Sequence, residues 1–242
     1  EWSKGYILNL TAMLGTTISP YLFFWQADEE VEEEILSKKI KSMGKGTPKI
    51  TNADVSQMRT DTAIGMLISN MITFFIIITA ASTLGANGIT NITSAAQVAE
   101  SLRPFAGDFA YILFALGIVG TGLLAVPVLA GSAAYAISEM FGWEEGLGKK
   151  FSQARGFYVV IILATLVGLL VNLSPINPMT MLYYAAILNG LLAPPLMILI
   201  LLIANNKKIL GDRVNSRLGN ILGIIITTIM SALTLYFLYS LF

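Results

Sequence analysis

The sequence predicts an all-α integral membrane protein, and three observations carry that prediction. Hydrophobic residues make up 55% of the chain against 12% charged, and the mean hydropathy of +0.71 is too high for a soluble domain. No charged residue lies between Gly156 and Asn206, a run long enough for two spans of about 20 residues each. The basic residues gather in alternate connections, as they do between membrane helices.

Length and absence of charge place six spans at about 6–27, 62–84, 109–141, 156–172, 181–204 and 218–242 of a single transmembrane domain covering 1–242. The first carries Thr16-Thr17-Ile18-Ser19-Pro20 in its middle and runs into a charged cytoplasmic loop, 28–61. The second holds one amide, Asn70, whose expected role is an interhelical hydrogen bond, with a ligand role as the alternative. The third exceeds what a bilayer needs, so it tilts or continues past the interface. Gly117, Gly120, Gly122, Gly131, Ser132 and Ala133 give it a small-residue packing surface, and Pro127 is placed to kink it. The fourth and fifth are separated by the turn Ser174-Pro175-Ile176-Asn177-Pro178, because each Pro blocks continuation of a helix. The sixth closes the chain.

Orientation follows from the loops. Lys38, Lys39, Lys41, Lys45, Lys49 and Arg59 follow the first span, Lys149, Lys150 and Arg155 the third, and Lys207, Lys208, Arg213 and Arg217 the fifth. These connections are expected to be cytoplasmic, so the first span runs from outside to inside. Asn91-Ile92-Thr93 matches a glycosylation sequon in a loop expected to be external, a tripeptide that also arises by chance.

Composition also excludes. There is no Cys and no His, hence no disulfide framework, thiolate zinc site or imidazole relay within this chain, and metal chemistry is left to oxygen or Met sulfur. Lys plus Arg and Asp plus Glu balance at 15 each, and no nucleic-acid partner is expected. No enzyme chemistry and no cofactor are expected either. The chain opens on Glu1, without a basic n-region or cleavage site, and reads as part of a longer protein rather than as a signal peptide.

The motif that carries chemistry is Gly15-Thr16-Thr17-Ile18-Ser19-Pro20-Tyr21. Pro20 lacks an amide hydrogen and clashes one turn back, near Thr16, while Gly15 and the β-branched residues lend little helical preference. Gly15 and Pro20 are therefore expected to break the helix near the bilayer midplane. Broken helices survive in lipid where the freed backbone lines a cavity or meets a ligand, and transporters use such carbonyls to hold cations. A kink satisfied by a neighbouring helix is the structural alternative.

Three stretches carry a resemblance. "GTTISPYLFFWQA", "GIVGTGLLAVPVLAGSAAYAISE" (Gly117 to Glu139) and "YYAAILNGLLAPPLMILILL" (Tyr183 to Leu202) resemble the sixth, eighth and tenth helices of the Nramp family of divalent metal transporters. The resemblance implies a LeuT-type fold, of which this chain is the second inverted repeat plus one additional helix, first span broken. It implies a transported divalent metal ion (Mn²⁺, Mg²⁺ or Fe²⁺), alternating access, a multi-pass plasma-membrane location, and as partners the bilayer and a missing N-terminal repeat of the same protein.

The family's broken sixth helix reads Ala-Thr-Val-Met-Pro-His, with the Ala carbonyl and Met thioether on the metal. Matched through Pro20, those positions are Thr16 and Ser19, and the His position is Tyr21. A carbonyl is indifferent to its side chain, so Thr16 can still coordinate. Ser19 exchanges soft sulfur for a hard hydroxyl, which moves the site toward Mg²⁺ or Mn²⁺, as in Met-less Nramp-related magnesium transporters. The alternative for Ser19 is a hydrogen bond to the broken backbone. Asn189, before Gly190 and an expected break at Pro194-Pro195, lies near where the tenth helix presents a Gln to the metal, with an interhelical hydrogen bond as its alternative. The family's Asp-Pro-Gly-Asn motif is absent, and Glu139 is the single acid within a span. Proton coupling is left open, since a phenol at Tyr21 is a poor proton carrier at neutral pH.

Asp28, Glu29, Glu30, Glu32, Glu33 and Glu34 follow the first span directly. In a helix they wrap around it rather than form one face, and a solvated cytoplasmic segment balanced by Lys38, Lys39 and Lys41 is expected. The functional alternative is a weak cation-attracting mouth. Two other functions stand beside metal transport. A sodium-coupled amino-acid transporter of the same fold requires an aromatic gate and a sodium site, and a membrane metal sensor requires signalling through the acidic segment.

Overall fold

The computed structural model describes residues 4–43, 46–89, 91–92 and 94–240, so Thr93 of the sequon, Lys45 and the end of the sixth span at 241–242 lie outside the described residues. The first apolar segment forms two helices, α1 (Lys4–Thr17) and α2 (Pro20–Leu36), with Ile18 and Ser19 between them. Pro20 opens α2 at a position where a missing amide costs nothing. The helix does not stop where the charge begins: α2 carries all six acids, because Glu is a good helix former and tertiary donors hold one of them, Glu32. It ends where Lys38 adopts a left-handed φ of 61° and the amides of Ser37, Lys38 and Lys39 bond back to the last carbonyls.

The next helix, α3 (Asn52–Ala80), starts ten residues before the apolar segment, at a reciprocal capping box in which Thr51 Oγ1 accepts from the Asp54 amide and Asp54 accepts from the Thr51 amide. It passes into a π-helical turn, Ala81–Gly85. Two short helices, α4 (Ala95–Ser101) and α5 (Arg103–Ala106), lead through a 3₁₀ turn to α6 (Ala110–Phe141), which Gly142 terminates with φ 65°. Then follow α7 (Arg155–Val171), α8 (Pro178–Ala204), α9 (Lys207–Leu210) and α10 (Arg217–Ser240). Among the described residues there is no β-strand, five helical stretches are long and apolar enough to cross a membrane, and α7 is a shorter apolar helix. The chain is an all-α integral membrane protein.

One expectation is corrected: Pro194 and Pro195 do not break the fifth span, and α8 is continuous through both. The reason is local. Pro194 deprives the Gly190 carbonyl of its amide donor, and the buried Thr234 hydroxyl of α10 donates to that carbonyl at 3.3 Å instead. Pro127 likewise lies inside an unbroken α6.

The chain forms two compact units, Glu1–Phe24 with Ser174–Phe242, and Trp25–Leu173. In the first, α1, α8 and α10 pack on one another around Ile7, Ala12, Ala186, Ile187 and Phe237. A Cβ on Gly15 would come within 2.1 Å of the Ala186 carbonyl oxygen, and one on Gly190 within 2.6 Å of the Thr11 carbonyl oxygen. The backbones of α1 and α8 therefore touch, which requires Gly on both sides. At the far end of α8, Asn205 and Asn220 exchange side-chain amide hydrogen bonds of 2.8 and 2.6 Å, and Asn215 donates to Asn220 at 3.0 Å.

In the second unit α6 packs on α7 around Ala134, Tyr135, Ala154 and Phe157, with Trp25 against the cluster. A Cβ on Gly131 would sit 2.3 Å from the Trp25 ring, so this glycine seats the indole of α2. Among the described residues the expected packing surface on the first half of α6 is not formed: nothing lies within 4 Å of a Cβ at Gly117, Gly120 or Gly122. No residue of α3 is buried. Asn70 on that helix donates to the Met66 carbonyl at 2.7 Å, which satisfies its amide on its own helix rather than across helices.

Candidate functional site

The break is a small polar site built by one proline. The carbonyl of Thr16 would accept the amide four residues on, and that residue is Pro20. The Ser19 hydroxyl donates to it instead, at 3.0 Å. Ser19 is buried, with 6% of its surface exposed, while the Leu22 amide returns to the Ser19 carbonyl at 3.0 Å and starts α2. The hydroxyls of Thr16 and Thr17 both donate to the Met13 carbonyl, at 2.7 and 3.0 Å, and so fold back along α1 rather than into the break. Tyr21 is half-buried in the first turn of α2.

Gly15 has a different part from the one expected. It is helical, inside α1, and its missing side chain admits α8 rather than loosening the helix. The Gly190 amide nitrogen lies 2.5 Å from the position a Gly15 Cβ would take. The half-buried Asn189 precedes Gly190 in α8. The donors at the break are neutral: the Thr16 carbonyl and the Ser19 hydroxyl. Among the described residues no group of three or more His, Cys, Asp or Glu side chains is arranged to hold a metal ion.

The acids on α2 divide by face. Glu30, Glu33 and Glu34 line a groove with Lys39, Asp54 and Asp61, in which Lys39 pairs with Asp54 at 2.8 Å; that hydrogen bond holds the Lys39 ammonium above its usual range. Glu29 is half-buried and one of its oxygens has no hydrogen-bond partner among the described residues. Asp28 is buried, with 7% exposed, and lies within electrostatic reach of Glu139 and Glu145. Glu32 is bound outright. Its Oε1 accepts from the Tyr135 hydroxyl and from the Leu147 amide at 2.6 Å, and its Oε2 accepts from the Gly148 amide at 3.1 Å. The solvated segment expected from charge density thus has two acids folded into the second unit.

Sequence reasoning missed the receptor for Glu32. The α6–α7 loop presents successive backbone amides, a concave anion-binding arrangement made possible by Gly146 at φ 126°. Tyr158 fixes the loop from below by donating to the Lys149 carbonyl at 2.7 Å. Glu145, next to it, is buried with 7% exposed, and burial followed by the Glu139 charge raises its carboxyl to about 7, against the lowering effect of Lys149. The available signal was Gly146-Leu147-Gly148 after two acids, a weak one in isolation.

Interrupted membrane helices with freed backbone carbonyls occur in many secondary transporters. Comparison with known proteins narrows that class. The family described as natural resistance-associated macrophage protein-like matches residues 2–240, and this chain belongs to it. It is 26% identical over 242 residues to a divalent metal cation transporter MntH of Yersinia enterocolitica, covering 99% of this chain and 53% of that protein. It is 25% identical over 235 residues to a divalent metal cation transporter MntH of Clostridium acetobutylicum, covering 96% and 49%. A Yersinia pestis protein of the same description is 26% identical over 187 residues, covering 75% of this chain and 42% of its own length. The chain spans about half the length of the curated relatives it matches.

Proposed function

We propose that this chain is the C-terminal half of a secondary transporter of the LeuT-type fold that moves a divalent metal cation across the plasma membrane by alternating access. One observation carries the reading: the Thr16 carbonyl oxygen and the Ser19 hydroxyl oxygen stand 3.0 Å apart at a helix break whose backbone lacks its own amide partner. In an octahedral site with bonds of about 2.1 Å, neighbouring oxygens are about 3.0 Å apart, and around a Ca²⁺-sized ion they are about 3.4 Å apart. The pair fits one edge of a Mg²⁺ or Mn²⁺ shell. Rotation of the Ser19 proton away from Thr16 turns both lone pairs toward the cation. Asn189 supplies a further neutral oxygen from α8.

Hard donors favour Mg²⁺ and Mn²⁺ over Fe²⁺, since no thioether occupies position 19. Neutral donors do not compensate a divalent charge in lipid, so the carboxylate comes from the first repeat, the partner this half requires. Proton coupling is assigned to that repeat as well. By the basic-loop rule the acidic end of α2 faces the cytoplasm, where it attracts the departing or arriving cation.

The test is uptake into liposomes holding the complete protein, comparing Mg²⁺ with Mn²⁺ for the native form and Ser19→Met. Native protein should carry Mg²⁺, and Ser19→Met should lose Mg²⁺ flux by about tenfold or more while keeping Mn²⁺ flux. If neither metal moves in either form, the transport reading falls, and the amino-acid carrier or the sensor replaces it.

A further inference from the structure

The second unit contains a contact that metal binding at the break does not use. Glu32, near the end of α2, is held by three donors: the Tyr135 hydroxyl and the amides of Leu147 and Gly148. The fit is close, since a Cβ on Gly146 would lie 2.9 Å from the Glu32 Oε1. Together with the Trp25 indole on Gly131, this ties α2 to the α6–α7 hairpin at two points. All three donors are neutral, so no opposite charge offsets a further negative charge brought close to this carboxylate. Such a contact is a latch.

Its neighbour is the unusual group. Glu145 immediately precedes the amide-presenting residues, is 7% exposed, and has one carboxylate oxygen with no hydrogen-bond partner among the described residues. The charges facing it are Glu139 on α6, Asp28 and Glu32 on α2, and Glu144, Lys149 and Lys41 from the connecting loops. Lys149 is already paired with Glu144. A cavity of about 320 Å³ lined by Glu139, Glu145 and Lys149 gives water and protons a way in. A second cavity, of about 370 Å³, joins Glu145 to Glu32 and Lys41.

We propose that Glu145 is a proton-binding site that controls the Glu32 latch: with Glu145 neutral the Gly146–Gly148 backbone holds Glu32, and loss of its proton releases α2 from the loop. The physical cause is charge. An ionised Glu145 places a second buried negative charge beside Glu32, with Glu139 already near and Asp28 ionising over the same range, and burial leaves no partner to offset the repulsion. The raised carboxyl, about 7, brings this event to neutral pH. As a step in a transport cycle the latch rests on the transport reading, whereas the switch itself does not.

The experiment is amide hydrogen exchange at Leu147 and Gly148 in the complete protein in liposomes, corrected for the intrinsic effect of pH. In the native form their protection should fall by about tenfold between about pH 6 and about pH 8. Glu145→Gln should keep both amides protected at both values, and Glu32→Ala should expose them at both. If Glu32→Ala does not fold, Tyr135→Phe replaces it, with protection weakened at both values. Native protection that ignores pH, or a pH dependence that survives Glu145→Gln, overturns the proposal. Metal flux in the same liposomes is read separately, so its failure removes the transport reading and leaves the switch standing.

Discussion

At the residue scale, hydroxyls take over where prolines have removed amides. Pro20 leaves the Thr16 carbonyl to Ser19, and Pro194 leaves the Gly190 carbonyl to Thr234. The outcomes differ because of where the hydroxyl comes from. Ser19 is on the same strand of chain and caps a helix end, whereas Thr234 comes from another helix and keeps α8 whole. The glycines divide in the same way. Gly15 faces backbone, which cannot rotate aside, so Gly15→Ala must separate α1 from α8; a loss of about 2–4 kcal/mol is expected, seen as a lower unfolding midpoint in detergent. Gly117→Ala, with open space around it, is the control and should leave the midpoint in place or raise it.

At the element scale, α1 and α2 are one apolar segment made into two helices by a missing amide. Pro20→Ala restores the donor to the Thr16 carbonyl and should join them into a continuous helix. The expected result is a higher unfolding midpoint together with metal uptake reduced by about tenfold or more, because the carbonyl then points along a helix instead of toward a cation. An unchanged uptake rate would separate the break from transport. The α2 helix itself shows why charge density alone misreads an element. Asp28 and Glu32 are one turn apart and share the face that packs into the second unit, while Glu33 on another face is exposed.

At the scale of the whole molecule, the buried acid sets a pH dependence of stability. Glu145 has its carboxyl raised from 4.5 to about 7, so between those values the native state holds a proton that the unfolded state has released. Stability therefore falls as pH rises through this window and levels off above it. Unfolding midpoints measured across the window should decline in the native protein; burial raises the Asp28 carboxyl to about 7 as well, so Glu145→Gln should lessen the slope without abolishing it and raise stability by about 1–2 kcal/mol at the alkaline end, less than full burial implies because cavity water reaches the group.

The membrane class and the all-helical fold were legible in the sequence, since hydropathy and charge gaps act on a few neighbouring residues. The family was legible for the same reason, its motifs being short and ordered along the chain. What only the tertiary structure decided is non-local: that Thr234 repairs a carbonyl 44 residues away, and that Glu32 is held by a loop 115 residues further on. No periodicity records which acid of six finds three donors. That choice is made by packing, where a bare glycine lets a ring or a carbonyl approach and burial turns an ordinary carboxylate into a proton site.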